Sequence, residues 1–145
     1  MHDQTPSGPA TVFPTMRYRN AAQAIDWLCR VFGFEKRVAY AGENGAIMHA
    51  ELTYGNGMIM LGTSRDDELG QYMGVPADSG GRSTGCVCVV VDDVKAHYDR
   101  AVAAGAKVVR PLKEEPHGAM YCCTDIEGHL WCFGDYAPWS SPTAA

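Results

Sequence analysis

Apolar residues recur over residues 20–33 at Ala21, Ala24, Ile25, Leu28, Cys29 and Phe32, the i, i+3, i+4 spacing of one buried helix face. A second stripe, Val94, Tyr98, Ala101 and Val102, predicts a helix over about 93–104. Asn20 and Asp92 or Asp93 stand where N-caps belong, and Gly33 and Gly105 where helices stop. Short apolar or alternating runs predict strands at 12–18, 35–40, 46–54 and 58–61 around the first helix. Around the second, the strands fall at 85–91, 107–111, 119–124 and 130–133. Glycine, proline and asparagine clusters at 42–45, 55–57, 116–118 and 127–128 supply the turns.

The pattern is β-α-β-β-β, twice. Cys86 stands 73 residues after Phe13, Gly118 73 after Gly45, and Gly134 72 after Gly62. Two matching helices and hairpins at a near-constant offset indicate an internal repeat. Between the halves lies the polar, glycine-rich segment 63–83, read either as a lid or as a plain linker.

Side chains alternate between the faces of a strand. Met48, Ala50 and Leu52 form an apolar set expected to pack under the helix, which leaves His49 and Glu51 together on the opposite face. Such a pair can be a structural hydrogen bond, an acid–base pair or a substrate anchor. Phe13, Thr15 and Arg17 share one face of the first strand. An inward arginine attracts an anionic ligand group, whereas one at a strand end simply snorkels. Trp131 faces the helix side by parity, away from Cys132.

At 145 residues and 46% apolar composition, the chain is sized for one globular domain that needs no disulfide or metal to fold. The net charge of −5 argues against a nucleic-acid partner. No apolar run approaches the roughly 20 residues of a membrane-spanning helix. The opening MHDQTPSGPA has no secretory pattern, so a cytoplasmic location is expected. The six cysteines are accordingly expected to be buried and reduced. Cys86 and Cys88 point to one face of their strand, whereas the adjacent Cys122 and Cys123 point to opposite faces, which disfavours a disulfide between those two. By the repeat, Cys122 matches His49. No GxSxG, HExxH or phosphate-loop pattern is present.

The segments RYRNAAQAIDWLCRVFGFE, HAELTYGNGMIMLG, VVVDDVKAHYDRAVAAGAKVVRPL and TDIEGHLWCFGDY resemble the vicinal oxygen chelate superfamily of glyoxalases, dioxygenases and bleomycin-resistance proteins. HAEL followed by a glycine turn and an IML strand is similar to the branch near the phosphonate-locus protein PhnB. The resemblance spans about Thr11 to Tyr136. It implies an α+β domain, 11–136, of two βαβββ modules, 11–62 and 84–136, joined by loop 63–83. The modules would form a curled mixed sheet around a cavity, with helices outside, often in a homodimer whose cavities both subunits line.

Metal-dependent members carry His, Gln or Glu on the first and last strand of each module. Here those positions carry Phe13, Met60, Cys86 and Cys132. The hard-oxygen or imidazole set is missing, so no metal and no cofactor are expected. A soft-ion site of Cys86, Cys132 and Met60 stays open. The expected ligand wall comprises Phe13, Arg17, His49, Glu51, Met60, Cys86, Cys88, Cys122 and Cys132. Two function classes follow. One is a metal-independent protein that binds an antibiotic- or metabolite-like small molecule. The other is a lyase, isomerase or glyoxalase-like enzyme with His49 as acid or base and Glu51 orienting it. Binding is preferred because no catalytic set is complete.

Overall fold

A computed structural model describes residues 6–139. It contains two four-stranded mixed sheets with helices, and the sheets do not close into a barrel. The first module runs β1 (Thr15–Tyr18), α1 (Ala21–Trp27), β2 (Glu35–Ala41), β3 (Ile47–Tyr54) and β4 (Gly57–Thr63). The second runs β5 (Cys86–Val90), α2 (Val94–Ala103), β6 (Lys107–Glu115), β7 (Gly118–Thr124) and β8 (Leu130–Gly134). The strand orders are β1-β4-β3-β2 and β5-β8-β7-β6, so the topology repeats as the sequence does. In each sheet the first and last strands pair in parallel and the others antiparallel.

Both helices begin as expected. The Asn20 side chain accepts from the Gln23 N–H at 3.1 Å, and Asp93 accepts from the Ala96 N–H at 3.0 Å. Asn20→Ala is expected to cost about 1 kcal/mol in urea unfolding, since it orphans a first-turn donor. The first helix ends differently from expectation. After Trp27 it widens into a π-helical turn, Leu28–Phe32, closed by Gly33 at φ 87°. Side chains of α2 reach across to the carbonyls of this turn. Arg100 donates to the Arg30 and Cys29 carbonyls, and His97 to that of Phe32. The widened turn thus ends on partners from the other module.

One core joins the helices to the helix-side faces of both sheets. Leu28, Val31 and Phe32 from the first helix meet Trp131 and Phe133 of β8, all fully buried, and Trp27 packs edge-on against Phe32. Ala50 and Leu52 are buried as parity predicts, but Met48 is 46% exposed. A bulge explains it: Tyr40 pairs with His49 while Ala41 pairs with Ile47, which leaves Met48 unpaired. Ile47 packs against the core instead. In α2 the buried face is Val94, His97 and Ala101, and Val102 is exposed.

Two strand boundaries move. β1 starts at Thr15, which leaves Phe13 outside it and 40% exposed. β6 continues through Pro111 to Glu115 with two register shifts; as an edge strand it tolerates the missing N–H.

A second set of bonds stitches the modules together. Asp125, buried after β7, accepts from the Tyr18 hydroxyl at 2.6 Å and the Trp131 indole N–H at 3.0 Å. It also accepts from the backbone N–H groups of Glu127 and His129. Glu127 accepts the N–H groups of Arg19 and Asn20, and His129 donates to the Arg17 carbonyl. The turn of one module therefore holds the β1–α1 junction of the other.

Candidate functional site

Among the described residues, two cavities stand out at the junction between the modules. The first, about 450 Å³, lies between Pro14–Arg17 and Ser83–Val87, with His129 and Leu130 at its edge. Its roof is the segment between the modules, which contributes Tyr72, Met73, Val75, Pro76 and Arg82. That segment is not structureless. It holds two short 3-10 turns, Leu69–Gln71 and Pro76–Ser79, and ion pairs tie it to the first module. Arg17 meets Asp67 at 3.2 Å and Arg19 meets Asp78. The Arg17 bond, helped by the Gly70 N–H, holds the Asp67 carboxyl below its usual range. Gly70 sits so close to the Arg65 carbonyl that any side chain would strike it. Arg17, read as an anchor for an anionic ligand, is thus buried and already paired with the roof.

The second cavity, about 530 Å³, is lined mainly by Val12, Pro14, Phe34, Tyr54, Met58 and Ile59 on one side. Val87, Cys88, Val89 and Val90 form the other, with Asp92 as the charged group. Both volumes fall in the range of small-molecule pockets.

The structure does not gather the nine expected wall residues into one cavity. Arg17 and Cys86 line the first and Cys88 the second; Phe13, His49, Glu51, Met60, Cys122 and Cys132 line neither. The wall residues are divided between two separate four-stranded sheets, β1-β4-β3-β2 and β5-β8-β7-β6. On the first sheet, Glu51 and Met60 are register partners, with Thr15 next to Met60. His49 Nε2 lies 2.9 Å from Glu51. Arg37 meets Glu51 at 2.7 Å, and Tyr40 stacks on the His49 ring. The His49 bond first, and then Arg37, hold the Glu51 carboxyl below its ordinary value. Arg37 and Tyr40 carry no sequence signal for this role, because the bulged register of β2 decides which side chains meet β3.

On the second sheet the expectation of six buried, reduced cysteines is overturned. Cys86 and Cys88 are exposed, and Cys122 and Cys132 form a disulfide between directly opposed residues of β7 and β8, 4.2 Å apart at Cα. Parity alone separates Cys122 from Cys123; only the strand pairing brings Cys122 to Cys132. Burial and the neighbouring Cys88 push the Cys86 thiol up to about 11. Cys123, enclosed in the core, is pushed up to about 12 by burial.

These donors do not suit the hard divalent ion of metal-dependent relatives. Phe13 has no donor atom and lies before β1, Met60 offers only a thioether, and Cys132 is held in the disulfide. Among the described residues, no helix is long and apolar enough to cross a membrane.

Comparisons with known proteins agree with this architecture. The sequence profile of the Glyoxalase/Bleomycin resistance protein/Dioxygenase superfamily matches residues 11–133. The uncharacterized protein Rv0887c of Mycobacterium tuberculosis is 30% identical over 122 residues, 83% of this chain and 71% of that protein. The crystal structure of TioX from Micromonospora sp. ML1 is similar at 34% identity and a TM-score of 0.69, covering 91% of this chain and all of that one. The fosfomycin resistance protein FosX from Mesorhizobium loti shares the fold alone, at 13% identity and a TM-score of 0.61, covering 89% and 93%. With a family profile across most of its length and two sheets of the same repeated topology, the chain belongs to the glyoxalase/bleomycin-resistance/dioxygenase superfamily.

Proposed function

We propose that this protein binds a small, largely apolar molecule of antibiotic or metabolite type, and holds it without a His- or Glu-ligated metal ion. One observation carries the reading: the four positions that would ligate the ion in metal-dependent relatives hold Phe13, Met60, Cys86 and Cys132, and the chain has a cavity of about 530 Å³ walled mainly by apolar side chains. Apolar walls with a few placed polar groups describe a ligand site. The family's resistance proteins make an antibiotic-like ligand a reasonable first class to test.

The reading includes a homodimer. Phe13, Tyr40 and Val90 are 40%, 58% and 49% exposed on or beside the sheet faces that lack helices. Apolar groups left open on a sheet face are what a second copy would cover. In such a dimer the His49–Glu51 pair and the thiol-bearing face would gain an opposing wall.

A second reading rests on His49 itself. Its Nε2 is held by Glu51, and Arg37 and Tyr40 fix the pair from the side, which is how an orienting carboxylate positions an imidazole for proton transfer. Titration calorimetry of EDTA-treated protein with a panel of small apolar aromatic antibiotics, with each mixture assayed for product, separates the readings. Binding near one per chain without product supports the binding protein. Turnover that His49→Ala abolishes, while circular dichroism shows the fold intact, supports the enzyme.

A further inference from the structure

Cys88, Cys132 and Cys122 occupy matched positions on the neighbouring strands β5, β8 and β7, and Cys86 lies one pleat along β5 on the same face. The Sγ atoms of Cys86, Cys88 and Cys132 all lie within 4.8 Å of one another. Cys86 Sγ is 3.7 Å from that of Cys88 and 3.4 Å from that of Cys132. Three sulfurs bound to one ion at about 2.3 Å stand roughly 4 Å apart, so these sulfurs, two thiols and the disulfide-bonded Cys132, already sit near ligand spacing. No carboxylate or imidazole belongs to the cluster. An all-thiolate set selects a soft ion. Three sulfurs presented from one side of a pleated wall suit a trigonal site better than the closed tetrahedron of structural zinc. Cys86 and Cys88 are exposed, which gives an ion a way in.

We propose that the reduced protein binds one monovalent copper ion per chain through Cys86, Cys88 and Cys132, and that closure of the Cys122–Cys132 disulfide withdraws one ligand and weakens the site. Copper displaces the thiol protons as it binds. Closure removes two electrons and two protons from Cys122 and Cys132. A low-molecular-weight disulfide accepts them: its S–S bond breaks, the protein's forms, and two small thiols leave. The site does not rest on the small-molecule reading, since its ligands come from the second sheet alone and include no hard donor.

The test is an anaerobic titration of phosphine-reduced protein with Cu(I) against a chromogenic Cu(I) chelator. The expected result is one copper per chain. Prior oxidation by glutathione disulfide should weaken binding about a hundredfold, and Cys86→Ser or Cys88→Ser should do likewise. Both sites are exposed, and circular dichroism would verify each fold. Cys29→Ser should retain full affinity. Cys122→Ser should keep the copper and lose the sensitivity to oxidation, a result that a merely structural disulfide would not give. Absence of stoichiometric copper in the reduced protein would overturn the proposal. So would full affinity in Cys86→Ser, or undiminished binding after oxidation.

Discussion

Asp125→Ala is expected to lower the unfolding free energy by about 3–5 kcal/mol, because several buried neutral donors lose their shared acceptor at once. Four donors converge on this carboxylate: the Tyr18 hydroxyl, the Trp131 indole and two backbone N–H groups. Tyr18 and Trp131 are fully buried, so water cannot replace the lost acceptor without opening the core. Each stranded donor costs roughly 1–3 kcal/mol. Burial and the Asp125 charge keep the Tyr18 hydroxyl protonated by raising its pKa well above the ordinary value, which secures it as a donor. Asp125→Asn keeps one acceptor oxygen but turns an amide N–H₂ toward donors, so its loss should be intermediate. Urea unfolding of the three proteins checks the order. Domains of this size are stable by only about 5–15 kcal/mol, so the alanine variant should be near its folding limit at 37 °C. A loss under about 1 kcal/mol would mean that the stitch between the modules is incidental.

The second large effect centres on His97. Its Nε2–H donates to the Phe32 carbonyl at 2.8 Å, so Nδ1 accepts from the Tyr121 hydroxyl. His97→Ala leaves both partners unpaired beside a new cavity, and about 3 kcal/mol should be lost. The same residue makes stability depend on pH. Burial lowers its pKa, the Phe32 bond opposes that, and the Arg100 charge lowers it further. In the unfolded chain the imidazole takes up its proton near pH 6.5. Below that value the unfolded state binds more protons than the folded one, so stability falls as pH drops toward the folded pKa. The contribution is complete above pH 6.5 and shrinks on acidification, with a slope of at most about 1.4 kcal/mol per pH unit. Stability curves from pH 7.5 to 5 should flatten in His97→Gln. An unchanged slope would place the acid sensitivity elsewhere.

Most of the fold is legible in the sequence, because it is written in periodicity and caps. The helices start where Asn20 and Asp93 predict, and the 73-residue offset corresponds to two sheets of the same topology. What escapes depends on pairing between distant segments. The bulge that exposes Met48 exists only in the register of β2 against β3. The Cys122–Cys132 disulfide needs the β7–β8 alignment. His97 breaks the apolar stripe of α2, so a polar residue that seals the core reads as a surface position until Phe32 and Tyr121 are placed around it. The site is legible in part. His49 and Glu51 are paired as parity suggests, but their supports Arg37 and Tyr40 come from the bulged edge strand. Of the two readings left open for Arg17, inward anchor or snorkelling strand end, the side chain is buried, yet its charge goes to Asp67 of a segment with no periodic signal.

The central claim is that this chain, paired with a second copy, holds a small molecule without a divalent ion at the family's metal positions. Native mass spectrometry tests it most directly. The protein would be purified without chelator, mixed with a panel of small apolar aromatic antibiotics that do not themselves chelate metals, and measured before and after EDTA. The predicted result is the mass of two chains carrying up to one organic adduct per chain, with the adduct unchanged by EDTA. Adducts that vanish with EDTA and return only with Mn²⁺ or Zn²⁺ would contradict it.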